Sequence, residues 1–219
     1  MRGGGGAVRD QGCSQANDAA AMTISAIPSR ASADLRAPTG RCYGAMVRDA
    51  TAEDAEAIAS VHAAAWRDTY VGMLPEALIA NFGYERVLPR WRERLPATPP
   101  QSILVWSEPV AGYAYSGPSR DGDPAHAGEV YAIYLTAERR GQGGGRALLA
   151  ASAARLAAAG LASMVVWVLR DNHPARAFYE RLGGRYVGAR PLLWAGAEAA
   201  VEVAYGWADT AELRAPAPG

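Results

Sequence analysis

The spacing of apolar positions changes several times along the chain, and each change marks an element. Up to about residue 45 there is no period at all, only Gly, Ala, Ser, Arg and Pro, so this segment is expected to be disordered or loosely attached, and Met22 and Met46 are alternative functional starts. A short strand over 45–48 leads to Thr51-Ala52-Glu53-Asp54, close to a capping box. Behind it Ala55, Ile58, Val61, His62, Ala65 and Trp66 fall on one helical stripe, on which His62 reads as a histidine at the edge of the core. Pro75 opens a second short helix, where proline is tolerated in the first turn. A third, Tyr84 to Leu95, contains Pro89 and is expected to kink or split there, with Trp91 and Leu95 inward and Arg90, Arg92, Glu93 and Arg94 on a solvated face.

From Ser102 the period is that of strands. Residues 102–107 and 110–117 read as a hairpin, 118–128 as a polar loop full of breakers, and Glu129 to Thr136 as a buried strand. A glycine-rich turn then enters a helix whose Gly145, Leu148, Leu149, Ser152, Leu156 and Ala159 share one stripe. A strand over 162–169 follows. The next helix carries Ala175, Phe178 and Leu182 on one face and ends at Gly183-Gly184. Residues 185–194 and 200–207 form a second hairpin across Ala195-Gly196. This order predicts an α/β (α+β) fold, a mixed, mostly antiparallel sheet of about seven strands flanked by helices, within a domain spanning 46–207 between the 1–45 segment and a 208–219 tail.

Composition narrows the function. Lys plus Arg and Asp plus Glu balance at 22 each, so neither a global basic field for nucleic acid nor an acidic tail is present. Cys13 and Cys42 precede the first periodic segment and are expected to be neither nucleophiles nor a structural disulfide. The N-terminus lacks the apolar core of a signal peptide, and the most apolar region, 147–169, is broken by Arg155 and Gly160. No membrane association and a cytoplasmic location are expected. His62, His126 and His173 lack metal-ligand spacing, so no metal is expected.

The turn Arg140-Gly141-Gln142-Gly143-Gly144-Gly145 carries the chemistry. Glycines let a ligand approach the amides, and the unpartnered N–H groups at the positive end of the following helix make a phosphate site, with Arg139, Arg140 and Arg146 adding charge. It is not a nucleotide P-loop, lacking Gly-Lys-Ser/Thr, nor a dinucleotide fingerprint. It resembles the acetyl-CoA signature of the GNAT N-acetyltransferases, Arg/Gln-x-x-Gly-x-Gly/Ala, as Arg140, Gly143 and Gly145. The departure is Gly144, where the family usually has an aliphatic residue. A second family motif stands as Asn172, Ala175, Phe178, Tyr179 and Gly183, and the resemblance covers about 160 residues, 47–207.

The resemblance implies a site and a reaction. The central strand and the strand 162–169 should splay, acetyl-CoA entering the gap with its pantetheine arm against the main chain of Ile133, Tyr134 and Leu135, and the N–H groups of Leu135 and its neighbour would polarise the thioester. Arg140, Gly141, Gln142, Gly143, Gly144, Gly145 and Arg146 would hold the pyrophosphate, and Asn172 would touch the cofactor or simply cap its helix. Glu129 is the implied general base, period 2 placing 129, 131, 133 and 135 on one face unless a bulge intervenes, and Tyr179 the implied general acid. Trp66, Tyr70, Tyr131 and the loop 195–198 are plausible walls for an amine acceptor, or core aromatics. A small polyamine-like or amino-sugar acceptor comes first, a protein lysine or N-terminal amine second. A non-catalytic acyl-CoA sensor is the alternative of another class. An exposed edge strand near 200–207 would allow a homodimer.

Overall fold

In the computed structural model, which describes residues 47–213, seven strands form one sheet: β1 (Val47–Asp49), β2 (Ser102–Trp106), β3 (Gly112–Pro118), β4 (Gly128–Leu135), β5 (Met164–Leu169), β6 (Arg185–Trp194) and β7 (Ala197–Trp207). Their order is β1-β2-β3-β4-β5-β7-β6. Every neighbouring pair is antiparallel except β4 with β5. The helices are α1 (Ala55–Tyr70), α2 (Glu76–Ala80), α3 (Tyr84–Arg94), α4 (Gly144–Ala158) and α5 (His173–Arg181). The proposed segment 1–45 lies outside the described residues.

A core lies on each face of the sheet. Ile58, Trp66 and Tyr70 of α1 and Val87 and Trp91 of α3 cover one face through Ile103, Tyr113 and Tyr134. Leu148, Leu149 and Leu156 of α4 and Tyr179 of α5 cover the other through Leu104, Ile133, Val166 and Trp207. The first helix starts as expected: the carboxylate of Asp54 accepts the Thr51 N–H at 2.8 Å and pairs with Arg48 at 2.7 Å. Burial and one hydrogen bond put His62 in the core, with Nδ1 2.7 Å from the Tyr113 hydroxyl.

Two expectations change. The helix α3 runs unbroken through Pro89. Proline faces solvent there while Val87, Leu88 and Trp91 are buried, and burial of those side chains, about 1.5–3 kcal/mol each, exceeds the roughly 3 kcal/mol a helix-interior proline costs. The exposed edge is not 200–207. β7 lies between β5 and β6, and β6 is the outer strand, because the hairpin folds back with its second strand inward. The tight turn uses left-handed backbone at Ala195 (φ 51°) and Gly196 (φ 81°). The packed chain also continues past Trp207: a short 3-10 turn, Thr210–Leu213, buries Leu213, and the Thr210 N–H bonds the Ala162 carbonyl at 2.7 Å.

Candidate active site

The parallel contact between β4 and β5 is short. Pairing runs Gly128 with Met164, Glu129 with Val165 and Val130 with Val166, and stops. Beyond Val130 the strands part, so the β5-facing edge of β4 from Tyr131 to Leu135, which includes Ile133 and Tyr134, has no strand beside it and presents main-chain N–H and C=O groups to the gap. At the point of parting β4 bulges. Ser116 pairs with Val130 and Tyr115 with Ala132, so Tyr131 is the extra residue.

The bulge overturns the simple alternation. Tyr131, Ala132 and Tyr134 belong to the core under α1 and α3, while Val130, Ile133 and Leu135 belong to the core under α4 and α5. Glu129 and Tyr131 therefore share a face with Tyr134, not with Ile133 and Leu135. Chain periodicity assumes an unbroken pleat, and one inserted residue reverses every side chain after it.

The strand runs through Ala137–Arg139, a 3-10 turn, into the glycine loop and α4. Gly143 is the residue before the first helical turn and has φ 85°, a left-handed conformation that brings the first amides of α4 to face outward. Beside them the Arg140 side chain is mostly buried, yet its Nε and Nη2 make no hydrogen bond and its nearest carboxylate, Asp68, is 3.9 Å away. Burial pushes the Arg140 guanidinium down from its ordinary value. A buried guanidinium with idle donors is costly unless an anion meets it. Gly141, Gln142 and Arg146 are exposed on the same rim. The absent side chain of Gly144 is explained by its neighbours: a Cβ there would stand 2.7 Å from both Leu135 Cδ2 and the Trp106 ring. Trp106 fills the volume an aliphatic residue would take.

At the far side of the gap Asn172 is buried and its Oδ1 accepts the Ala175 N–H at 3.2 Å, capping α5. Tyr179 on α5 is fully buried among Phe178, Tyr205 and Trp207. Burial pushes the phenols of Tyr70 and Tyr134 well up, and the Glu202 carboxylate adds to both.

On the α1 face lie two buried carboxylates. Glu129 is bound by Arg120, whose main-chain N–H reaches Oε2 at 3.0 Å and whose Nε reaches it at 3.2 Å, with Nη2 on Oε1. Arg120 also lies over the Tyr131 ring at 4.8 Å. Glu202 of β7 accepts from Arg190 Nε at 3.0 Å through Oε2, while Arg190 Nη1 holds Asp121 at 2.5 Å. Arg120 and Asp121 belong to the β3–β4 loop, which thus straps over both acids. Trp66, Tyr70 and Tyr131 are all buried in the core on that face; Trp66 stacks on Phe82 at 3.6 Å and the Tyr131 hydroxyl donates to the Pro118 carbonyl at 2.6 Å. The loop 195–198 is exposed at the end of the β6–β7 hairpin.

Residues 52–184 match the Acetyltransferase (GNAT) family. A Bacillus subtilis (strain 168) protein named as the uncharacterized N-acetyltransferase YuaI is 36% identical over 171 residues, covering 77% of this chain and 95% of its own. The chain belongs to the GNAT acetyltransferase family. Its class is that of an acyltransferase. Among solved structures, Salmonella typhimurium yncA, described as a putative acetyltransferase with its cofactor acetyl-CoA, shares the fold with a TM-score of 0.57 at 21% identity, over 79% of this chain and 96% of that one. The Thermoplasma acidophilum PaiA N-acetyltransferase, in complex with coenzyme A, does so with a TM-score of 0.54 at 18% identity, over 73% and 96%.

In this GNAT chain the idle donors of Arg140, the open helix start at Gly143 and the unpaired edge of β4 suit a molecule with a diphosphate at one end and an amide-rich arm. Among the described residues no group of His, Cys, Asp and Glu is placed to hold a metal, and no described helix is long and apolar enough to cross a membrane. Motif spacing located Arg140, the glycines, Asn172 and Tyr179. It missed Arg120, Asp121, Arg190 and Glu202, which have no motif. One signal existed: Glu202 interrupts the apolar run Val201, Val203, Ala204, Tyr205 in a strand whose second half is buried.

Proposed function

We propose that this GNAT protein moves an acetyl group from acetyl-CoA directly to the primary amine of a small molecule, within a ternary complex and in the cytoplasm. The observation that carries this reading is the gap beyond the last β4–β5 pair, Val130 with Val166, in a chain whose next turn leaves Arg140 Nε and Nη2 buried without a hydrogen bond. Arg140 and the main chain of 141–146 would take the diphosphate, Ile133 to Leu135 the amide arm, and Asn172 would border it. Main-chain N–H groups at the end of β4 would polarise the thioester carbonyl. Tyr179 would give a proton to the departing thiolate.

Attack needs a neutral nitrogen, and an alkylamine with a pKa of about 10.4 is mostly protonated near neutrality. Glu129, at the strand position the family resemblance marks, and Glu202 face the same side of the sheet, and the mechanism assigns the proton to one of this pair. Direct transfer is supported by the absence of cysteine from residues 47–213. A small acceptor, walled by Trp66, Tyr70 and Tyr131, is supported by the burial of both acids beneath the β3–β4 loop, where a slender amine fits better than a folded protein surface. Association of two copies through a sheet edge would use β6, the longer of the two outer strands β1 and β6.

Calorimetry with coenzyme A and acetyl-CoA at up to millimolar levels tests the donor site, and no heat with either overturns the reading. Thiol release from acetyl-CoA across alkylamines, diamines, amino sugars and a lysine peptide tests turnover. Release only with the peptide would replace the small acceptor by a protein one, and binding without release would leave a sensor.

A further inference from the structure

Three carboxylates and two guanidiniums make up the cluster under the β3–β4 loop: Glu129, Glu202 and Asp121 against Arg120 and Arg190. One negative charge is left over. The hydrogen bonds locate it. Both oxygens of Glu129 accept from Arg120, and Asp121 is half exposed to water. Glu202 is 1% exposed, and its Oε1 has no hydrogen-bond partner. A carboxylate oxygen buried without a donor is a large cost unless a ligand meets it.

Its position fits such a ligand. Glu202 pairs across the ladder with Leu169, the last residue of β5, past the point where β4 and β5 part. Leu169 belongs to the core under α1, so Glu202 points to that face. Its charge is felt by Tyr70 of α1, Tyr134 of β4 and Arg120 of the loop, and it is itself pushed up by burial, against the pull of Arg190, with Glu129 adding. The floor beneath it is aromatic: Arg190 stacks on Trp167 at 3.8 Å.

We propose that Glu202 Oε1 is the atom that receives the acceptor as a primary ammonium and takes its proton. The assignment rests on the acetyltransferase reading and names its acceptor class, a cationic primary amine. The ammonium gives one proton to Oε1, which frees the lone pair. The nitrogen then bonds the acyl carbon as the carbon–sulfur bond breaks, and the sulfur leaves with the electron pair and takes the Tyr179 proton. The second nitrogen proton restores the phenol through solvent and Glu202 returns its own to solvent, so ammonium and thioester become amide, thiol and one free proton. Glu129 acts through Arg120 as a positioning residue.

The test compares Glu202→Gln with Glu129→Gln in the full chain, following thiol release from acetyl-CoA with butylamine, 1,4-diaminobutane, glucosamine and alanine between pH 5.5 and 9.5. Glutamine keeps the volume and can still accept from Arg190. Glu202→Gln is expected to lower kcat/KM about 100-fold at neutral pH, with the deficit shrinking as the pH approaches the amine's own pKa. Glu129→Gln is expected to scale the whole profile down without changing its shape. Coenzyme A binding by calorimetry and the melting temperature report whether each variant folds. Should Glu202→Gln not fold, Glu202→Asp keeps the charge one methylene short and is expected to retain the pH dependence with a reduced rate. A wild-type profile in Glu202→Gln, or the full pH-dependent loss in Glu129→Gln alone, overturns the assignment. If the wild type binds coenzyme A but acetylates none of these amines, the acetyltransferase reading fails instead, and the Glu202 site is read by titrating butylamine into the coenzyme A-loaded protein: affinity at least 10-fold weaker in Glu202→Gln upholds an ammonium site, and equal affinity removes it.

Discussion

Tyr179 shows how little separates a core aromatic from a catalytic one. It is fully buried and ringed by Phe178, Tyr205 and Trp207 in the core under α4 and α5, and it is also the proposed general acid. If its hydroxyl protonates the thiolate, Tyr179→Phe keeps the packing and coenzyme A affinity while kcat falls roughly 100-fold; unchanged turnover in that variant removes the acid role. His62 is a buried titratable group whose protonation couples to stability. Burial first, then the charges of Arg90 and Arg94, lower its pKa to about 3. The unfolded chain, with a pKa of about 6.5, binds a proton that the folded chain refuses, so stability is full above that value and falls with pH down to about 3, by about 1.4 kcal/mol per unit. Melting curves at pH 7 and pH 5 should therefore show a larger loss for the wild type than for His62→Gln. Glu129 was singled out in the sequence by its strand position, as the family resemblance implies, but its engagement with Arg120 was not legible, since the two meet only when the β3–β4 loop folds back.

At the scale of elements the glycine turn joins two neighbours. Gly144 starts α4 against Trp106 of β2 and Leu135 of β4, and a Cβ at 2.7 Å from both cannot be accommodated without displacing an indole. Gly144→Ala is expected to cost about 1–3 kcal/mol, as overpacking does, and to weaken coenzyme A binding because the start of α4 shifts. Adding Trp106→Leu should recover part of both losses, and calorimetry together with thermal melts on the three variants checks it. The sequence showed Gly144 as a departure from a motif; it could not show that β2 supplies the missing bulk. The bulge at Tyr131 has the same character. Nothing in the run Val130-Tyr131-Ala132-Ile133 announces an extra residue, because all four are apolar and the two cores on either side of β4 accept any of them.

For the whole molecule, the C-terminal boundary is set by packing. Leu213 is buried beside α4 and Thr210 is tied to Ala162, so removing residues 208–219 is expected to lower the melting temperature by several degrees, about 2–4 kcal/mol for one buried leucine and one hydrogen bond. A deletion variant with unchanged melting would show that this turn contributes nothing. Local periodicity determined the helices, the strands and the turn between β4 and α4, because those depend on neighbours in the chain: amphipathic spacing, a proline or glycine at an end, bare amides at a helix start. The motif at 140–145 and the second at 172–183 marked the residues proposed for the diphosphate and for the phenol. Only the tertiary structure decided which strand is the outer edge, which face Glu129 takes after the bulge, and that Glu202, some seventy residues further on, lies in the same ionic cluster. These are long-range facts, fixed by the order in which strands stack and by which charges desolvate together, and no short window of sequence contains them.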